Sequence, residues 1–166
     1  MSLAEDMERV ALQERELRLQ RLDADVAWKL GAWLRAAAVE RGLAIVIDVR
    51  RFGQQLFYSA LEGTTPDNPE WVRRKSNVVA RYHRSSYGVG LQLKQKLQTL
   101  EERGHALADF AAHGGSFPLY VENAGIVGCV TVSGLPQRAD HELVVEALCA
   151  LLGRDYAALK LGPETN

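Results

Sequence analysis

The chain has 166 residues, of which 47% are hydrophobic and 25% charged. This length and composition fit one globular domain that can bury about 70% of the surface its unfolded form exposes, and they exclude disorder and a coiled coil. The net charge of −1 at pH 7 gives no reason to expect a nucleic-acid partner, and Cys129 and Cys149 lie in apolar stretches where we expect buried, unpaired thiols.

The first half of the chain is predicted to form two helices followed by a hairpin. Residues 3–16 have the pattern of an acidic amphipathic helix, which we expect at the periphery or facing a partner. A second helix runs from an N-cap at Asp23 to Gly42, at a position where a left-handed glycine ends many helices. The apolar period then changes to two, so residues 44–49 and 54–61 are predicted to be antiparallel strands.

The second half is predicted to contain two helices, a hairpin and a last helix, over residues 69–84, 85–104, 117–122, 126–133 and 140–152. Strands and helices do not alternate in the way that builds a parallel sheet. We therefore predict an α+β fold, with a mostly antiparallel sheet, helices packed on it and profilin-like layers. Residues 17–22 also alternate, and they either supply a fifth strand or extend the first helix.

A single domain is expected, because no repeat, low-complexity tract or linker divides the chain. We place this domain at residues 20–153, with an N-terminal helix or extension at 1–19 and a C-terminal tail at 154–166. The first residues lack the apolar core of a signal peptide, and no run approaches the roughly 20 apolar residues that span a bilayer. We therefore expect a cytoplasmic protein without a membrane partner.

A basic stretch from Trp71 to Leu100 is the most distinctive region of the sequence. It contains no Asp or Glu and seven positive charges, whereas the rest of the chain has a net charge of −8. Exposed faces of helices usually mix both signs of charge, so this bias favours binding of an acidic small ligand. The seven cations are Arg73, Arg74, Lys75, Arg81, Arg84, Lys94 and Lys96.

Lys75 falls on the apolar side of its predicted helix, at helical spacing from Val72, Val79 and Tyr82. A lysine in this position has three interpretations, which the sequence leaves open. Its stem covers apolar surface while the amine reaches water, or the amine contacts a ligand, or it pairs with an internal acid such as Asp48. The cations Arg74 and Arg81 lie on the adjacent row of the helix.

Two further features point to ligand contacts. Ser85 and Ser86 precede a helix whose first turn contains glycines, and free backbone N–H groups at a helix start favour an anion. The candidates for metal or haem ligation are His83, His105, His113 and His141, although a lone histidine is more often structural or exposed. We rank His83 and His113 first. His141 ranks behind them, because a protonated imidazole is disfavoured in the first turn of a helix.

The sequence contains none of the familiar catalytic motifs, such as a nucleophile elbow, a metalloprotease HExxH or a recognisable triad. Gly114 and Gly115 precede the last hairpin, in the order Gly-Gly-Ser-Phe-Pro, but this turn lacks the spacing and the Gly-Lys-Ser/Thr ending of a phosphate-binding loop. No catalytic residue is therefore assigned, and whether the protein is an enzyme stays open.

Two strings resemble the small bacterial and fungal proteins that carry a haem-degrading domain: WVRRKSNVVARYHRSSYGVG (71–90) and HGGSFPLYVENAGIVGCVTVSGLPQRADHELVVEAL (113–148). The likeness extends over residues 20–152. It reaches, more distantly, the secreted haem-binding sensor proteins, a protein of the glycolate operon and the C-terminal domain of one class of cobalamin adenosyltransferase.

The resemblance implies about five antiparallel strands between helices, homo-oligomers built from dimers, and haem or a corrinoid bound near the lysine-bearing helix and the Gly-Gly turn. Lys75 matches the family's lysine, and the turn is matched by Gly114, Gly115 and Pro118. The chain departs from the secreted members in having no export signal. Because iron ligation differs among relatives, the resemblance does not choose between the two candidate histidines.

Three functions follow as hypotheses. The first is a protein that binds or handles haem, or a related tetrapyrrole or carboxylate ligand, with the carboxylates at Arg74, Lys75, Arg81 or the Ser85-Ser86 helix start. The second is a non-enzymatic oligomeric interaction module that uses its basic face and its acidic first helix. The third is an enzyme acting on a small carboxylate, with Lys75 as base or electrostatic stabiliser.

Overall fold

Four strands form one antiparallel sheet in the order β2-β1-β4-β3 in the computed structural model, which describes residues 1–164. This arrangement confirms the predicted α+β class. In chain order the elements are α1 (Leu3–Glu16), α2 (Ala24–Arg41), β1 (Val46–Arg51), β2 (Gln54–Ala60), α3 (Asp67–Tyr82), α4 (Ser86–Lys96), β3 (Ser116–Val121), β4 (Gly125–Ser133), α5 (Gln137–Leu152) and α6 (Tyr156–Leu159).

The sheet consists of two local hairpins joined through their inner strands, β1 and β4. Val46 lies opposite Ser133 in this central pairing. In the first hairpin the register shifts between Val49 and Arg50, so that Gln55 comes to lie opposite Arg50. Such bulges redirect side chains, and here the bulge brings Gln55 to the side of the sheet that carries Arg50.

The two faces of the sheet differ in chemistry. Ile47 and Val132 belong to the main apolar core, which α2 and α5 complete on one face. Alternation along the strands sends Asp48, Ser116 and Thr131 to the other face, where all three are fully buried. Helix α3 packs over β4 and β3 on this side. The protein therefore contains a buried polar layer between α3 and the sheet.

The expectation of about five strands is corrected to four in the described range, because residues 17–22 contribute a single bridge. Leu19 N donates to Tyr120 O at 2.8 Å, and Glu122 N donates to Leu19 O at 2.9 Å. The alternating leucines of this segment are buried against the core, which produces the strand-like pattern without a strand.

Helix α4 is shorter than predicted. It ends at Lys96, where Leu97 adopts a left-handed conformation with φ of 51° and is 91% exposed, rather than continuing to Gly104. The misleading observation is Leu100, which is buried with Leu93 in the same apolar cluster. A turn after the helix brings Leu100 back to that cluster. Leu100 therefore keeps the spacing expected of a helix although it lies in a loop.

Helix α1 is part of the folded core and is not peripheral, contrary to the sequence prediction. Val10 and Gln13 are fully buried, and the Asp6 carboxylate forms an ion pair with Arg138 at 2.7 Å. The polar residues that made this helix look exposed are thus used for internal hydrogen bonds. None of the helices in residues 1–164 is long and apolar enough to cross a membrane.

Candidate ligand-binding cleft

Lys75 lies in the buried polar layer, on the face of α3 that meets the sheet. Its Nζ donates to Asp140 Oδ2 at 2.9 Å and to Val132 O at 3.3 Å. The internal acid is therefore Asp140, from the first turn of α5, and not Asp48. Asp48 accepts instead from Arg50 Nε at 2.7 Å and Gln55 Nε2 at 2.6 Å, because the bulge gathers these groups on β1 and β2.

Burial acts on both members of this pair. It lowers the pKa of Lys75 and raises the pKa of Asp140, since each group loses hydration that favours its charged form, while the attraction between them opposes both shifts. Asp140 Oδ1 also accepts from Leu135 N at 2.9 Å, which holds the carboxylate in place. The result is a fixed, dry pair of charges beneath the surface.

The Gly-Gly turn closes around the Lys75 amine. Gly115 has φ of +136°, and a Cβ there would overlap Val132 O and come within 2.8 Å of Lys75 Nζ. A Cβ on Gly114 would overlap Gln137 O, and the Gly114 N–H donates to Gln137 Oε1 at 3.1 Å. Only glycine allows this turn to pack against both the amine and the start of α5.

Above the ion pair is an open cleft of about 280 Å³. Trp71 and His113 contact each other edge to face at its wall, with ring centroids 5.4 Å apart. The Arg74 guanidinium lies over the Trp71 ring, with Cζ 4.5 Å from the centroid. The lining also includes Asn68, Gln137, the Lys75–Asp140 pair and Asp67, which accepts from Trp71 Nε1 at 3.2 Å.

His113 is exposed on one side and shielded by the cleft on the other, and its imidazole favours the neutral form. Its partial burial lowers its pKa, and the charges of Lys75 and Arg74 lower it further. A neutral imidazole keeps a lone pair that can bind a metal or accept a proton. The cleft thus places a potential ligand atom beside two cations and a flat aromatic surface.

The other predicted site residues lie elsewhere. Arg81 is exposed near the end of α3, and His83 caps that helix and lines a separate cleft. Ser85 and Ser86 are fully buried, and Pro118 is paired with Cys129 within the sheet. Of the predicted residues, Lys75 and His113 line the cleft, Arg74, Gly114 and Gly115 contact its lining residues, and the others lie outside it.

The helix start proposed for an anion already has a carboxylate beside it. Glu14 of α1 accepts from Ser85 N at 2.8 Å and from Arg84 Nε at 3.2 Å. Ser85 itself caps α4 by accepting from Gly88 N at 3.0 Å. The Glu14 carboxylate thus supplies the negative charge that this helix start favours.

Among the cleft residues that the sequence did not identify are Asp140, Trp71 and Gln137. Trp71 precedes Lys75 by four positions and shares its side of the helix, so helical spacing could have identified it. Asp140 and Gln137 belong to a helix more than 60 positions further on. Only the folded chain places them here.

Comparison with known proteins agrees with the motifs. The sequence model of the HbpS-like haem-degrading protein family matches residues 22–149. The chain belongs to this family. It is 64% identical to a UPF0303 protein of Acidobacterium capsulatum over 162 residues, covering 97% of this chain and 98% of that one. A UPF0303 protein of Paraburkholderia phymatum is 58% identical over the same share of both chains.

Solved structures show the same fold as this HbpS-like protein. The Ybr137w protein superposes with a TM-score of 0.82 and 28% identity, covering 89% of this chain and 87% of the other. HbpS superposes with a TM-score of 0.63 and 20% identity, over 81% and 92% of the two chains. The protein in a PduOC:heme complex gives 0.65 and 14%, over 78% and 94%.

Proposed function

We propose that this protein binds a small carboxylate ligand, with haem as the first candidate, in the cleft above Lys75. The observation that carries the proposal is that Trp71 and His113 line this cleft in contact with each other, with the Arg74 guanidinium over the Trp71 ring. A flat ring system would lie against Trp71, and a carboxylate would receive hydrogen bonds from the Arg74 guanidinium. Family membership and the heme complex of one structural neighbour support the choice of haem.

The residues present fit haem bound by one edge. A cleft of about 280 Å³ is slightly smaller than the usual range for small-molecule pockets, roughly 300 to 1,000 Å³, so it would enclose only part of a macrocycle. The exposed, neutral imidazole of His113 suits an iron ligand. Haem, when bound, would supply the iron chemistry. The chain's own part is then to orient the ring with Trp71 and to hold a propionate with Arg74.

Lys75 has an indirect role in this proposal. Its amine is buried and bonded to Asp140 and Val132, so its charge is balanced inside the fold and the side chain is held in place. The ammonium still disfavours protonation of His113. Lys75 is therefore a positioning residue in this scheme.

Titration of the purified protein with hemin tests the proposal. We expect a Soret shift that saturates at one hemin per chain and weakens at least about tenfold in His113→Ala and in Arg74→Gln. The matched controls are His83→Ala and Arg81→Gln, which change the same residue types outside the cleft and should leave the titration unchanged. A shift that never saturates, or equal weakening by the controls, would exclude haem binding in this cleft.

Metal-free protoporphyrin separates the two contacts. It carries the propionates but no iron, so its binding should depend on Arg74 and not on His113. If protoporphyrin fails to bind while a smaller planar carboxylate does, the cleft serves a carboxylate ligand other than a tetrapyrrole.

A second candidate function is self-association as an interaction module, and the edge strand β2 favours it. This strand, QQLFYSA, contains no charge and no proline, the features that usually prevent pairing of edges. Trp28, 64% exposed, packs edge to face on Phe57 beside it. Two copies pairing antiparallel through β2 would cover this surface. Light scattering should then show a dimer that Tyr58→Lys with Trp28→Glu converts to a monomer.

A further inference from the structure

A second cleft, also of about 280 Å³, lies at the other end of α3. Its walls come from the last turns of that helix, from the turn between β1 and β2, and from the first half of β4. It shares no lining residue with the cleft above Lys75. We propose that it binds a flat aromatic acid of one or two rings.

The charge of the second cleft suits an anion. Within residues 1–164, its lining contains no Asp or Glu, while Arg50 and His83 contribute a fixed cation and an imidazole. Asp48, the acid bonded to Arg50, is fully buried and does not line the cleft. Since Asp48 also accepts from Gln55 Nε2, both of its oxygens are occupied inside the sheet.

Arg50 retains donors for a ligand. Its Nε bonds to Asp48 Oδ1, and its two Nη atoms make no hydrogen bond to any group in the described part of the chain. A guanidinium has five N–H groups in a planar fork, so four remain for a carboxylate. The Arg50 side chain is 28% exposed, and its orientation is fixed by a buried carboxylate. A positioned but partly open guanidinium is a suitable anchor for an acid group.

Most of the remaining lining is apolar, with Ser76 and Asn77 as its polar members. Val79 and Ala80 form the helix wall, and Val127 and Gly128 form the strand wall. A Cβ at Gly128 would overlap the carbonyl oxygen of Arg50, so no side chain can fill the floor at that point. Glycine inside a strand often marks a place where another group approaches closely.

An exposed aromatic ring completes the rim. Phe52 is 80% exposed and left-handed, with φ of 50°, a conformation that is costly for a bulky residue. Its N–H donates to Val127 O at 2.8 Å, which holds the turn in this shape. The turn therefore holds an apolar ring at the cleft's edge, in the place where a flat ligand would cover it.

Binding of 2-naphthoate, followed by calorimetry, tests the proposal. We expect 2-naphthoate to bind saturably at one molecule per chain. Naphthalene-2-carboxamide, which has the same rings without the charge, should bind with at least about tenfold lower affinity. Ala80→Trp should fill the cleft and weaken naphthoate binding by about tenfold or more. Ala36→Trp, the same change at an exposed alanine of α2, should not.

The outcomes separate this cleft from the one above Lys75. Phe52→Ala should weaken naphthoate binding, whereas Trp71→Ala and His113→Ala should leave it unchanged. Equal affinity for the acid and the amide, absence of saturation, or loss of binding in Trp71→Ala would each overturn the proposal. Circular dichroism of each variant checks that it is folded. If Ala80→Trp does not fold, Phe52→Ala still tests the proposal, because Phe52 lies on a surface turn.

Discussion

Lys75 Nζ and Asp140 Oδ2 are 2.9 Å apart in a pair whose side chains are only 4% and 1% exposed. Asp140→Asn should therefore lower the free energy of unfolding by about 3 kcal/mol, because it leaves the ammonium buried without its counter-charge. Lys75→Met added to this variant should restore most of the loss. The comparison variant is Asp109→Asn, which breaks an exposed ion pair with Arg73 and should cost less than about 1 kcal/mol.

Urea unfolding of these variants measures the effect. Equal destabilisation by Asp140→Asn and Asp109→Asn would mean that the buried pair is far better hydrated than its exposure indicates.

Replacement of Gly115, beside the Lys75 amine, is expected to be costly. Gly115→Ala combines a positive φ with overlap at Val132 O and a 2.8 Å approach to Lys75 Nζ, so it should destabilise the fold by about 3 kcal/mol. Gly104→Ala is the matched control. Gly104 also has positive φ, of +84°, but open space around it, and its replacement should cost only about 1 kcal/mol. Thermal unfolding that shows the same loss in both variants would contradict the packing argument.

Glu14 should stabilise the start of α4 from a distance of about 70 residues along the chain. Glu14→Gln removes a negative charge from a helix N-terminus, so we expect a loss of roughly 1 kcal/mol and faster hydrogen exchange at the Ser85 and Gly88 amides. Glu8→Gln, an exposed position on the same helix, should change stability by less than about 0.5 kcal/mol. Unaltered exchange at Ser85 would show that the contact has no energetic importance.

His141 should make the fold sensitive to acid. Burial, aided by the charge of Arg138, lowers its pKa to about 3, and its Nε2 donates to Gln13 Oε1 at 2.8 Å. The unfolded chain takes up a proton near pH 6.5, but the folded chain does so only near pH 3. This contribution to stability is therefore complete above pH 6.5 and is lost progressively as the pH falls.

Between pH 7 and 5 the loss from this group amounts to roughly 2 kcal/mol. A His141→Gln variant, less stable at pH 7, should show a correspondingly smaller drop over the same range in urea unfolding. A drop equal to that of the unaltered protein would assign the acid sensitivity to other groups.

The fold was predictable where local patterns decide it. The α2 cap at Asp23, both hairpins and the buried, unpaired state of Cys129 and Cys149 were all predicted from spacing and setting. The errors arose where the spacing of buried leucines resembles the spacing expected in a helix or a strand. Leu100 returns to the core through a loop, and the leucines of residues 17–22 are buried without forming a strand.

The candidate site was predictable only for residues on α3 and in the Gly-Gly turn. The spacing around Lys75 indicated a side chain that faces the core, and it left three environments open. Lys75 pairs with Asp140 and not with Asp48 for two reasons. The start of α5 lies beside Lys75, and the bulge in the first hairpin directs Arg50 and Gln55 to Asp48. Neither is encoded within a short window of sequence.

The attachment of α1 has a consequence for the order of events during synthesis. Gln13 bonds to the Leu159 carbonyl and to Glu142, and Asp6 pairs with Arg138. Helix α1 therefore leaves the ribosome well before residues 138–159, which complete its packing. Contacts across so much of the sequence form late and slowly. The contacts of α1 with α4 can form first, and the charged residues that later pair with α5 and α6 would stay hydrated until those helices are made.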